Sequence, residues 1–97
     1  VLLRSADDPR LLQGLRTGLS LAMGDRPATV YVTATARDAL RRSTSGEVAA
    51  NLGTLPEAGV AILVEAGPGD GVPPGARRAS RARLLRGVAA ADFAQVF

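Results

Sequence analysis

The residues of this chain that are equipped for chemistry gather at three places. Ser5 and Asp7 follow one short apolar run, and Thr33 and Thr35 follow another. If both runs are parallel strands, these side chains share one sheet edge, where hydroxyls and carboxylates bind a small polar ligand or a metal ion. The second place is Gly-Pro-Gly-Asp-Gly-Val-Pro-Pro-Gly, residues 67–75. There Gly67, Gly69 and Gly71, around Asp70, offer backbone N–H groups to an anion, with Arg77 and Arg78 close behind to add charge. The third is Arg77, Arg78, Arg81, Arg83 and Arg86, five positive charges in ten residues. Such a run suits an anion or an acidic partner.

Each place also has a plainer reading, and in each case the plainer one is preferred. Asp8 caps a helix, while Ser5 and Thr33 satisfy turns. The G-x-G-x-G spacing is neither the dinucleotide fingerprint nor a P-loop, since no Lys-Ser/Thr follows it. Pro68, Pro73 and Pro74 also remove donors, which leaves a stiff surface connection. The arginines serve as a solvated helix face, or pair with Asp25, Asp38, Glu47 or Glu57 of a neighbouring subunit.

What the 97 residues lack narrows the chemistry further. With no cysteine and no histidine, disulfides, thiol nucleophiles, Cys/His zinc sites, histidine bases and Ser-His-Asp triads are excluded within this sequence. The acids are scattered, so no paired-carboxylate site is expected, and Tyr31 reads as a packing residue. No metal and no cofactor is expected. The net charge of +3 comes wholly from arginine, with no lysine. The pI near 11.0 is inflated by a side chain that stays charged above about pH 12. Aromatics make up 3% of the chain, too few for a nucleic-acid stacking platform, so nucleic acid is not the expected partner. No apolar run approaches the roughly 18 residues of a membrane span, and the start lacks a signal pattern. A cytoplasmic domain with no membrane contact is expected.

These residues need elements to position them. With 46% hydrophobic and 22% charged residues, the composition is that of one globular domain over residues 1–97. Residues 1–5 read as a strand. Asp7-Asp8-Pro9 starts a helix over 9–23, whose Leu11, Leu12, Leu15, Leu19, Ala22 and Met23 recur at helical spacing. Gly14, Gly18 and Ala22 form a small-residue row on it that lets the helix approach a sheet closely, with a subunit interface as the second reading. Residues 28–33 form a strand and 34–42 a short helix. Thr44 and Glu47 make a capping box for a further helix that Gly53 closes. Residues 60–66 are apolar almost throughout, as in a central parallel strand. Residues 67–75 read as a loop and 77–91 as a helix, and 92–97 as a last strand in preference to the tail of that helix. Because the chain starts and stops inside apparent strands, residues are expected to be missing at its ends. The order β-α-β-α-α-β-α-β predicts an α/β fold, a three-layer sandwich with a small, mainly parallel sheet flanked by helices.

Several stretches resemble the DsrE/DsrF/DsrH-like family of small sulfur-relay proteins. They are the helix ending Leu19-Ser20-Leu21-Ala22-Met23-Gly24, the strand Thr29-Val30-Tyr31-Val32-Thr33, and the run from Leu52 through Pro56-Glu57-Ala58-Gly59-Val60 to Val64. The resemblance implies a DsrE-like sandwich and an origin around bacterial sulfur metabolism. Catalytic members of the family carry sulfur as a persulfide on a cysteine, and no residue here takes that role, because the transfer needs a thiolate. The resemblance therefore implies a non-catalytic subunit, homo-oligomeric (dimer or trimer) or paired with a related partner. An oligomer also suits a small core with few aromatics. The alternative is a module binding a small anion or other small ligand in the strand-end crevice near Ser5, Thr33 and residues 67–71.

Overall fold

The apolar runs lie side by side in register. Leu2 stands opposite Tyr31, Val30 opposite Ile62, and Ile62 opposite Ala76. A computed structural model, which describes residues 1–67 and 72–97, places them in strands β1 (Leu2–Leu3), β2 (Thr29–Val32), β3 (Ala61–Glu65) and β4 (Ala76–Ala79). These form one sheet in the order β1-β2-β3-β4, and every neighbouring pair is parallel. Helices α1 (Asp8–Met23), α2 (Ala34–Arg42), α3 (Gly46–Glu57) and α4 (Arg81–Ala90) complete the described elements.

Alternation along the strands divides the molecule into three layers. Leu3, Val30, Val32, Ile62 and Val64 face one side and are at most 1% exposed. There they meet Leu11 and Leu15 of α1, Ala36 and Ala39 of α2, and Val48 and Leu55 of α3. The intervening Tyr31 and Leu63 are half-buried on the other side, which α4 covers. The division follows from chirality. Successive crossovers that step the same way across a parallel sheet are right-handed only if they share a face. The connection that returns from β4 to the β1 edge must then use the opposite face, and α4 is that connection. The expected three-layer α/β sandwich is the observed fold.

Close approach explains the glycine row of α1. A Cβ on Gly14 would collide with the side chain of Leu3, and one on Gly18 would lie 3.0 Å from Cγ2 of Val30. The row seats the helix on its own sheet.

Several boundaries differ from the expected ones. β1 is limited to Leu2–Leu3. Helix α1 begins at Asp8, with Asp7 at the N-cap but no cap bond from its side chain. Instead Ser5 Oγ accepts the Asp7 N–H at 3.0 Å, and Asp8 accepts the Ser43 hydroxyl at 2.9 Å. Helix α3 is capped by Ser45, whose hydroxyl accepts the Val48 N–H, rather than by Thr44. Glu47 is thereby free to pair with Arg16 on α1 at 2.8 Å.

The same helix runs through Gly53 and stops at Gly59, whose φ of +84° suits a residue without a Cβ. The Val60 N–H returns to the Leu55 carbonyl and the Gly59 N–H to that of Pro56. Both bonds belong to a Schellman motif, with Leu55 and Val60 as its buried apolar pair.

The expected helix over 77–91 divides into β4 and α4. Ser80 is the N-cap between them, its Oγ accepting the Arg83 N–H at 3.1 Å. The last expected strand is reduced to one parallel bridge, Leu2 with Val96. Bonds from Leu2 N to Gln95 O and from Phe97 N to Leu2 O, both 2.8 Å, hold it there. Among the described residues, no helix is long and apolar enough to cross a membrane.

Candidate functional site at the carboxyl ends of the strands

Val72, on the way from β3 to β4, packs on the core of the α1–α3 face, whereas the chain after β4 passes to α4 on the opposite face. Neighbouring strands whose connections part in this way open a crevice beyond their carboxyl ends. A cavity of about 300 Å³ lies at that end, under the first turns of α4. It is lined by Leu2, Arg4, Thr33, Ala34, Thr35, Glu65, Arg81, Leu84 and Leu85.

Each polar group is placed by an element end. Thr33 caps α2. Its hydroxyl donates to the Leu3 carbonyl at 3.1 Å and accepts the Ala36 N–H at 3.4 Å, which ties β1 to the helix start. Thr35 follows in the first turn. Glu65, the last residue of β3, accepts the Ala34 N–H at 2.8 Å through Oε1, a favourable place for a carboxylate at a helix N-terminus. Its Oε2 stands 4.0 Å from Arg81 Nη1, with the Glu65 side chain 13% exposed and that of Arg81 76% exposed. Arg4 is exposed across the same opening. Among the described lining residues, two guanidinium groups stand against one carboxylate, an excess of one positive charge.

The structure brings together only part of the expected set. Thr33 and Thr35 line the crevice, and Ser5 and Asp7 stand beside it in the turn that leads from β1 into α1. Gly67 lies against Arg37, whose guanidinium a Cβ there would strike. Gly69, Asp70 and Gly71 lie outside the described residues. Arg77 and Arg78 sit within β4, opposite Leu63 and Val64, so alternation sends them to opposite faces. Neither lines the crevice. Of the arginine run, Arg81 alone does.

Arg4 and Glu65 are residues that the sequence reading did not single out as ligands. The signal available for both was position, since each is the polar residue closing an apolar strand. Among the described residues, no group of three or more carboxylates is close enough to hold a metal ion.

The fold and the crevice define a class: a small parallel α/β domain with a partly apolar opening at the strand ends that carries Arg4, Arg81 and Glu65. Comparison with protein-family models, curated proteins and solved structures finds no match to the chain.

Proposed function

We propose that this domain is a non-catalytic binding module that takes a small polar anion into the strand-end crevice. The observation that carries the reading is the convergence of Arg4, just beyond the first strand, and Arg81, at the start of the last helix, on one opening. Guanidinium groups recognise carboxylate, sulfate and phosphate oxygens through paired N–H donors. Thr35 adds a hydroxyl, and Glu65 accepts from any hydroxyl or amine the ligand bears. The test is thermal unfolding with added sulfate or phosphate. A saturable rise in Tm is expected, reduced by Arg4→Ala and by Arg81→Ala but kept in Arg77→Ala, whose side chain lies outside the crevice. An equal loss in all three variants would mean diffuse charge screening and sink the reading.

A second reading is supported by apolar surface. Leu85, Phe93 and Val96 on α4 and the terminal segment are 54%, 67% and 46% exposed. Large apolar side chains left open on α4 and the terminal segment suit a subunit covered by another chain. In this reading the domain is a cysteine-free DsrE/F/H-like subunit of a cytoplasmic dimer or trimer, or of a related pair, associated with bacterial sulfur metabolism. Light scattering across a dilution series tests it. A stable oligomer that Phe93→Ser dissociates supports the subunit role, and a monomer at all concentrations removes the homo-oligomer.

A further inference from the structure

On the opposite face from α4, a second cavity of about 280 Å³ lies between α2, α3 and the end of the β3–β4 connection. Its lining is chemically divided. Val32, Leu40, Leu52, Ile62, Val64, Val72 and Pro73 make an apolar body, and Arg37 and Arg41, one turn apart on α2, supply the charge. No acidic residue is among the described lining residues.

The two arginines are held differently. Arg37 is 10% exposed at its side chain. Its Nη1 donates to the Glu65 carbonyl at 2.7 Å and its Nε to Asp38 at 3.2 Å. Arg41 is half exposed, and the same Asp38 carboxylate stands 3.7 Å away. Among the described residues, one half-exposed carboxylate thus serves two guanidinium groups, leaving one positive charge beside a hydrocarbon-lined space.

We propose that this cavity is a binding site for a small monocarboxylic acid with a short hydrocarbon tail. The tail lies against the partly open Leu40, Leu52, Val72 and Pro73, with Ile62 and Val64 beneath it, and the carboxylate meets Arg41 beside Arg37. The division of the lining argues for this class. A purely polar anion gains nothing from the apolar wall, and a neutral hydrocarbon leaves the guanidinium groups unused. The site is separate from the strand-end crevice and stands or falls without it.

Octanoate is the probe, with octanol and acetate as its two halves, and methyl NMR is the readout. Octanoate is expected to shift the methyl resonances of Val32, Leu40, Ile62 and Val64 saturably. Octanol and acetate are expected to bind about tenfold more weakly or less, the scale of one lost charge-assisted hydrogen bond or of the lost apolar contact. Arg41→Gln, at a half-exposed position, keeps the fold and is expected to reduce octanoate affinity by a similar factor. Leu52→Phe narrows the cavity and is expected to abolish binding. The proposal is overturned if octanol matches octanoate, if Arg41→Gln binds as the parent does, or if the shifts fall on other methyl groups.

Discussion

The two faces of the sheet are made by the same strands and are finished very differently. On the α1–α3 side the inward residues of β1, β2 and β3 meet helices, and all five are at most 1% exposed. On the α4 side Tyr31 and Leu63 remain half-buried and Ala61 is exposed. The one helix there buries Leu84 alone. The difference teaches how an apolar strand should be read. The run from Val60 to Ala66 suits full burial on both faces, but only the residues directed toward α1–α3 achieve it. Apolarity at the others is available for α4, for a crevice, or for a partner.

Large-to-small substitutions at adjacent positions of β3 break or sustain this comparison most directly. Ile62→Ala is expected to cost about 2–5 kcal/mol, as truncating a buried side chain does. Leu63→Ala, one residue on, is expected to cost about half as much, because its site is already partly wet. Urea unfolding measures both, and equal losses would make the two faces energetically alike. Leu84→Ala comes next at about 2 kcal/mol, and since α4 has no other buried residue it should loosen the whole helix.

Gly87→Ala is a finer probe. Alanine favours a helix by up to about 1 kcal/mol, yet its Cβ would lie 2.6 Å from the Tyr31 hydroxyl oxygen and ring edge. Net destabilisation of about 1 kcal/mol is expected, with recovery when Tyr31→Leu is added. A stabilised single variant would mean that α4 rides loosely on the sheet. Smallest is Phe93→Ser, expected to leave monomer stability within about 0.5 kcal/mol because the ring is mostly exposed. A larger loss would show that the α4 face is better packed than its exposure implies.

Legibility in the sequence followed the same division. Helix α1, strands β2 and β3, and helix α2 were readable because they contribute to the closed core, where burial imposes a period. β4 was not. Ala-Arg-Arg-Ala carries no apolar alternation, as edge strands often do not, since charge there discourages further pairing. The end of α3 was misplaced because Gly53 and Gly59 look alike as letters. Only the positive φ and the Leu55–Val60 contact distinguish the true terminator. The crevice was readable as a location, and Thr33 and Thr35 belong to it. Its charged members were hidden because Arg4, Glu65 and Arg81 meet only through pairing across the sheet, and Arg81 was read as one of five in a stripe.

Glu65 and the start of α2 hold each other from both directions. The carboxylate accepts the Ala34 N–H, and Arg37, one turn on, donates back to the Glu65 carbonyl. Amides in the first turn of a helix usually lack an intrahelical acceptor and trade their protons with water quickly. Ala34 is the exception this clasp creates, so its amide hydrogen should persist in deuterated solvent far longer than first-turn amides ordinarily do. That single hydrogen is a clock on the clasp. Because the carboxylate that slows it also lines the crevice, while the arginine that completes it lines the apolar cavity, its exchange rate would register events on either face of the sheet.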